Sequence, residues 1–325
     1  MTDSGNKNVI WSSPSGSGGV VADNLVKVYG KKQETVQALQ GISFTVAKGE
    51  LFGIIGPDGA GKTSLFRILT TLVLADGGSA TVDGLDVVKD YKEIRNRVGY
   101  MPGKFSLYQD LTVEENLEFF ATIFKTTVSE NYNLIKDIYS QIEPFKDRRA
   151  GKLSGGMKQK LALSCALIHR PSVLFLDEPT TGVDAVSRKE FWEMLRRLKQ
   201  QNITILVSTP YMDEASLCDR VALLQSGKIL SINTPGGIIG EFKNPIIAAR
   251  ASNMLHLLND LKNFGQTKDA YPFGEYHHAV MAEDFNEEAL RNYLQKSNDG
   301  LIIKKAEPDI EDCFMALMPP TPKGE

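Results

Sequence analysis

From Val20 onward, short apolar runs alternate with polar residues and stop at glycines: VVADNLVKVYG, then ALQGISFTVAKGELFGIIG. Runs of that length and punctuation predict a strand-rich opening. Strands and helices then alternate. SLFRILTTLVL (64–74) has helical spacing, and VLFLDEP (173–179) is a near-continuous apolar strand. SRKEFWEMLRRLKQQ (187–201) predicts an amphipathic helix and ITILVSTP (203–210) another buried strand. Helices between strands of that kind imply a parallel sheet covered on both faces. Between about residues 104 and 152 the periodicity is helical, without a strong strand, which predicts a helical insertion. The pattern changes past Thr234. PIIAARA, HHAVMAE and LIIKKAE predict strands, alternating with helices in SNMLHLLNDLKN, NEEALRNYLQKS and DIEDCFMALM. The expected organisation is a flexible Ser/Gly-rich leader (1–19), an α/β domain (20–234), a small α+β appendage (235–318) set off by PGGIIG, and a tail (319–325).

The 325 residues are 42% hydrophobic and 24% charged, with 37 Lys plus Arg against 40 Asp plus Glu, so the net charge is −3. That balance argues against a nucleic-acid partner, which would ask for a basic excess. Cys165, Cys218 and Cys313 are scattered and odd in number, which fits reduced, buried thiols rather than disulfides or zinc. His277 and His278 are adjacent, so on a strand they face opposite ways and cannot share an ion. No stretch approaches 18 consecutive apolar residues, and the N-terminus lacks the features of a secretory signal. A membrane role would come through a partner.

Three local patterns carry chemistry. GPDGAGKT, Gly56 to Thr63, places glycines where backbone N–H groups can curl around phosphate oxygens, between a strand and a helix whose positive end faces the same phosphates. Lys62 would neutralise the β- and γ-phosphates and Thr63 would offer its hydroxyl to Mg²⁺. Asp177 and Glu178 end a buried strand, where open α/β sheets hold ligands. Asp177 would bind the metal and Glu178 orient or deprotonate a water. Taken alone, the pair could instead cap a helix. LSGGMKQK (153–160) presents an N-cap, Ser154, and two glycines at a helix start, an anion site whose phosphate the local sequence does not identify.

Together GPDGAGKTS, LSGGMKQK, VLFLDEP and the GVD turn with Asp184 resemble the ATP-binding subunit of an ABC transporter over residues 20–234. MPGKFSLYQDLTVEENL and EPDIEDCFMAL resemble its ABC-2 type exporter branch. The resemblance implies a P-loop NTPase of the ABC ATPase fold, with an antiparallel β-subdomain and a helical subdomain. It implies ATP and Mg²⁺ as ligands, held by Gly56, Pro57, Asp58, Gly59, Ala60, Gly61, Lys62, Thr63 and Ser64, with Tyr29 stacked on adenine. In this family two cassettes form a head-to-tail dimer, so Ser154, Gly155 and Gly156 would serve the partner's ATP. The implied partners are a second ABC ATPase domain, identical or not, and an integral membrane permease that holds the chain at the cytoplasmic face of the cell membrane.

Two positions depart from the family. Gly103 stands where a glutamine normally touches Mg²⁺ and the attacking water, and Pro210 where a histidine normally contacts the γ-phosphate. Proline has neither a donor side chain nor an N–H; Lys104 or Tyr211 could substitute. The leading expectation is an ATPase subunit that powers a separate membrane permease; the alternatives are a hydrolysis-poor partner subunit gated by nucleotide, which the two departures favour, and a soluble ABC protein outside transport.

Overall fold

A computed structural model describes residues 19–31, 34–104 and 106–318. The leader expected over 1–19, apart from Gly19, and the tail over 319–325 lie outside them. The chain divides into two compact units between Ile232 and Asn233.

The first unit opens with β1 (Val20–Lys31), β2 (Glu34–Val46) and β3 (Leu51–Ile55), then α1 (Lys62–Leu69), β4 (Gly77–Val82), β5 (Leu85–Asp86), α2 (Tyr91–Arg97) and β6 (Val98–Met101). Next come α3 (Val113–Ile123), α4 (Val128–Tyr139), α5 (Gly155–Leu167), β7 (Val173–Asp177), α6 (Ala185–Lys199), β8 (Thr204–Thr209), β9 (Arg220–Gln225) and β10 (Lys228–Asn233). Two sheets result. One is the antiparallel β2-β1-β4-β5; the other runs β10-β9-β3-β8-β7-β6, parallel from β9 through to β6. Every residue of β3, β7 and β8 is buried, the mark of strands covered on both faces. Phe52, Phe66, Phe175 and Leu206 lie in one core that also takes in Leu25, Leu39 and Ile42 of the antiparallel sheet. Register fixes the functional edge: Ile55 lies opposite Thr209, and Asp177 opposite Ser208, so the carboxyl ends of β3, β8 and β7 are neighbours. Helices α3 and α4 each begin at a threonine capping box, Thr112 with Glu115 and Thr127 with Glu130.

Helix α1 is shorter than its apolar spacing suggests. It stops at Leu69, where the Thr70 hydroxyl donates back to Phe66 O (2.8 Å) and Thr71 turns left-handed at φ 64°. Leu72 and Leu74 therefore stand exposed rather than on a helix face.

The second unit contains α7 (Pro235–Glu241), β11 (Ile246–Arg250), α8 (Met254–Asn263), β12 (Thr267–Phe273), β13 (Tyr276–Met281), α9 (Glu287–Leu294), β14 (Ile302–Ala306) and α10 (Ile310–Leu317). From β11 to β14 the order is β-α-β-β-α-β, and the antiparallel sheet runs β12-β13-β11-β14, the split βαβ arrangement. Ile247, Ala279 and Met281 pack with Leu257, Leu261, Leu290 and Leu294 in a core of its own. Two features differ from the sequence expectation. PGGIIG is helical rather than a spacer, because Thr234 caps Gly237 N (3.0 Å) and Pro235 supplies the first turn. β12 was hidden by Pro272, which a sheet tolerates on an edge strand, where β12 lies. His277 and His278 are both buried and point to different partners, Met254 O and Asp312 Oδ1, each at 2.7 Å.

Candidate nucleotide site

The phosphate loop springs from β3 and returns into α1. Its position beside β8 is fixed by a backbone bond, Gly56 N to Thr209 O (3.2 Å). Two of its glycines are required for different reasons. At Gly61 φ is 110°, left-handed, and a Cβ would fall 2.4 Å from Ala38 O. At Gly56 the requirement is space: a Cβ would stand 2.1 Å from Leu224 O. Larger residues would drive the loop away from the strands that support it.

Lys62 begins α1 and is 3% exposed. Its ammonium donates to Gly56 O (2.7 Å) and Pro57 O (3.0 Å) and pairs with Glu178 Oε1 (3.0 Å); Asp58 is more distant at 3.9 Å. The loop carbonyls thus aim a buried cation at the carboxylate that follows β7. Glu178 itself is backbone-strained, with φ 52° on a residue that has a side chain. Its N–H donates to Ser208 O (3.0 Å) and Ser208 Oγ (3.1 Å). The same Ser208 hydroxyl donates to Asp177 Oδ1 (2.6 Å). Neither acid caps a helix; Asp184 does, accepting from Ser187 N (3.0 Å) and Val186 N (3.1 Å) at the start of α6. Those N–H groups, Ser187 first, hold the Asp184 carboxyl below its ordinary value. Burial, and secondarily the charge of Asp177, push the Tyr100 hydroxyl up to about 12, so it stays protonated beside the acidic strand end.

One cleft of about 380 Å³ gathers Tyr29, Val36, Gln37, Ala38 and Gln40 from β1 and β2, Gly59 through Ser64 from the loop and α1, Glu178, and Ser226. Tyr29 and Val36 are cross-strand partners and both exposed, at 37% and 67%. Together they offer an apolar platform beside the loop, on which a flat base can stack. Gln40 Nε2 closes the side wall by donating to Ser226 O (2.8 Å). Thr63 lines this cleft, and Asp177 stands buried one residue before Glu178. A hydroxyl and a carboxylate are hard oxygen donors that suit Mg²⁺, and among the described residues no three His, Cys, Asp or Glu side chains could hold a metal unaided. A divalent ion here would draw its other ligands from phosphate and water.

Ser154, Gly155 and Gly156 do not line the cleft. Ser154 caps α5, accepting from Met157 N (3.4 Å), and a Cβ on Gly156 would come 2.9 Å from Ser187 Oγ, so the α5 start lies against the start of α6. Lys104 and Tyr211 do not line it either; the Tyr211 ring lies 4.3 Å beneath the Arg188 guanidinium. Gly103 lies next to the acidic pair: a Cβ there would be 3.0 Å from Asp177 O and 3.7 Å from Glu178 Cβ. Sequence reasoning missed Val36, Gln37, Ala38, Gln40, Ser208 and Ser226. Val36 could have been found by pairing β2 against Tyr29; Ser208 needed the β7–β8 register.

A family model described as ABC transporter matches residues 39–181. The chain is 36% identical over 288 residues to the probable multidrug ABC transporter ATP-binding protein YbhF of Escherichia coli, covering 86% of this chain and 49% of that protein. It thus spans about half the length of the first curated relatives it matches. Against the Nod factor export ATP-binding protein I of Burkholderia lata it is 35% identical over 298 residues, covering 90% of this chain and 95% of that protein. Among solved structures, a dimeric ATP-binding cassette in a post-hydrolysis state with ADP and Pi superposes with a TM-score of 0.60 at 25% identity, over 66% of this chain and 98% of that one. Among the described residues no helix is long and apolar enough to cross a membrane.

Proposed function

The chain belongs to the ABC transporter family of ATP-binding proteins, and from that membership we propose that it binds MgATP in the Tyr29–Lys62–Glu178 cleft and hydrolyses it to power a separate membrane permease. The observation that carries this reading is the pairing of buried Lys62 with Glu178 at 3.0 Å, inside a cleft that also presents Tyr29. Lys62 and the loop N–H groups would hold the β- and γ-phosphates. Thr63 and Asp177 would hold Mg²⁺, which neutralises phosphate charge when bound. Glu178 would orient or deprotonate the attacking water. The name of one relative, a Nod factor export ATP-binding protein, supports an export direction, and coupling to a permease would hold the chain at the cytoplasmic face of the membrane.

The α5 start stands outside the chain's own cleft, which supports a head-to-tail dimer in which Ser154, Gly155 and Gly156 meet the partner's ATP. Glu178→Gln tests this: with MgATP it is expected to sediment as a dimer, and Ser154→Arg added to it to remain monomeric. A Glu178→Gln chain that stays monomeric at saturating MgATP contradicts the arrangement between two copies of this chain.

A second reading is favoured by Gly103 and Pro210, neither of which has a side-chain donor or acceptor of its own. In that reading this chain pairs with a different cassette and mainly completes the partner's site. Mixing with a cassette that carries both the glutamine and the histidine is then expected to raise turnover well above the sum of the two chains.

A further inference from the structure

Outside the cleft, one buried carboxylate ties together the segments that flank it. Glu214, in the short 3₁₀-helical turn Met212–Leu217, is 1% exposed. Its Oε2 accepts from Thr209 Oγ1 (2.5 Å), at the end of β8, and from Thr180 Oγ1 (3.1 Å), two residues past Glu178. Its Oε1 accepts from Arg188 Nε (3.2 Å) on α6. The Arg188 guanidinium also reaches Asp213 (3.2 Å) and covers the Tyr211 ring. Thr180 and Thr209 are fully buried. The turn, the end of β8, the segment after β7 and the first turns of α6 therefore converge on two carboxylate oxygens.

Taking a carboxylate out of water is costly even when paired, and an apolar side chain of similar volume often serves stability as well. Stability alone is a poor reason for this cluster. The backbone supplies a better one. Glu178 sits in the left-handed region, a conformation that persists only where the surroundings over-determine it. On one side the Glu178 N–H is held by Ser208. On the other, Thr181 N donates to Glu178 O (3.2 Å), and Thr180 between them is fixed by Glu214. The same oxygen fixes Thr209, whose hydroxyl also accepts from Tyr211 N (3.1 Å), so the Pro210 corner shares the anchor.

We propose that Glu214, backed by Arg188, is a positioning residue that sets where the Glu178 carboxylate and the Pro210–Tyr211 corner stand relative to bound nucleotide. It touches no phosphate itself. The proposal rests on the reading of Glu178 as the hydrolytic carboxylate. It bears on this chain in particular, because with no side-chain donor at 103 or 210 the placement of Glu178 carries more of the turnover.

The test compares full-length Glu214→Ala, Glu214→Gln and Thr180→Val with wild type in MgATP hydrolysis, in affinity for a fluorescent ATP analogue, and in amide hydrogen exchange. Misplacing a reacting group by about 1 Å costs on the order of 10²-fold, so kcat of Glu214→Ala is expected to fall by that order while nucleotide affinity stays nearly constant. Exchange is expected to quicken over 178–184 and 209–211 and to stay unchanged in β3 and α1. Thr180→Val keeps the Glu214–Arg188 pair and gives a smaller effect in the same direction, so it decides the matter if the Glu214 variants do not fold. An unchanged kcat, a parallel loss of affinity, or exchange rising evenly over the whole unit overturns the proposal. A wild type that binds nucleotide without turning it over overturns the hydrolytic reading instead. Exchange over 178–184 then decides this one: quickened in Glu214→Ala it supports the positioning role, and unchanged it overturns it.

Discussion

Removing the ammonium of Lys62 separates nucleotide binding from hydrolysis most cleanly. In the structure that ammonium has three oxygens within 3.0 Å: Gly56 O, Pro57 O and Glu178 Oε1. It is therefore pre-placed by the loop and needs little reorganisation to meet phosphate. A hydrogen bond to a charged group contributes about 1.5–3 kcal/mol, which converts to a roughly 10- to 150-fold loss of MgATP affinity in Lys62→Ala. Glu178→Gln is the matched control. Lys62 keeps both loop carbonyls there and loses only a carboxylate that competes with phosphate for it. Affinity is then expected to hold or rise slightly, while hydrolysis falls by about 10²- to 10⁴-fold, the usual range for a lost general base. Equilibrium titration with a fluorescent ATP analogue reads the first quantity and phosphate release the second. Equal loss of affinity in both variants would refute the roles assigned to the two residues.

The second unit holds none of the cleft residues and has its own core, so a chain ending at Asn233 is expected to bind MgATP as tightly as the whole; a folded chain of that length with no affinity would contradict this. A cut at Asn244, just before β11, would leave α7 behind without α10, whose Cys313 Sγ donates to Ile238 O (3.7 Å), and is expected to aggregate more readily in a light-scattering assay. Asp83 gives an acid dependence. Burial alone would raise its pKa, but Lys48, Arg97 and the Ser172 hydroxyl outweigh it and hold it below its ordinary 3.8. A depressed carboxyl stabilises the fold above its unfolded value and loses that contribution as pH falls through the lower folded value. Asp83→Asn is thus expected to flatten the loss of stability below about pH 4, read as thermal midpoints against pH; an unchanged acid profile would show that Asp83 does not contribute.

The parts legible from sequence are those whose physics is local. Glycine spacing, a lysine at a helix start and a strand closed by two acids are read within a dozen residues, and each reads the same way in the structure. The ABC ATPase fold followed from the same motifs. What stayed hidden depends on register. Ser208 meets Asp177 across 31 residues, and Glu214 meets Thr180 across 34; only the pairing of β7 with β8 brings either about. Val36 is unremarkable until β2 sets it opposite Tyr29. In the second unit, β12 was masked by Pro272 and α7 by its glycines. Intrinsic propensity lost there to an edge position and to a threonine cap.

Phosphate release by the purified wild-type chain, run beside Glu178→Gln at the same occupancy of nucleotide, tests the central claim most directly. The account predicts measurable MgATP turnover in the wild type and its near-complete loss in Glu178→Gln, with binding intact in both. Turnover that survives the substitution undiminished would mean that the chemistry does not run through the Lys62–Glu178 cleft.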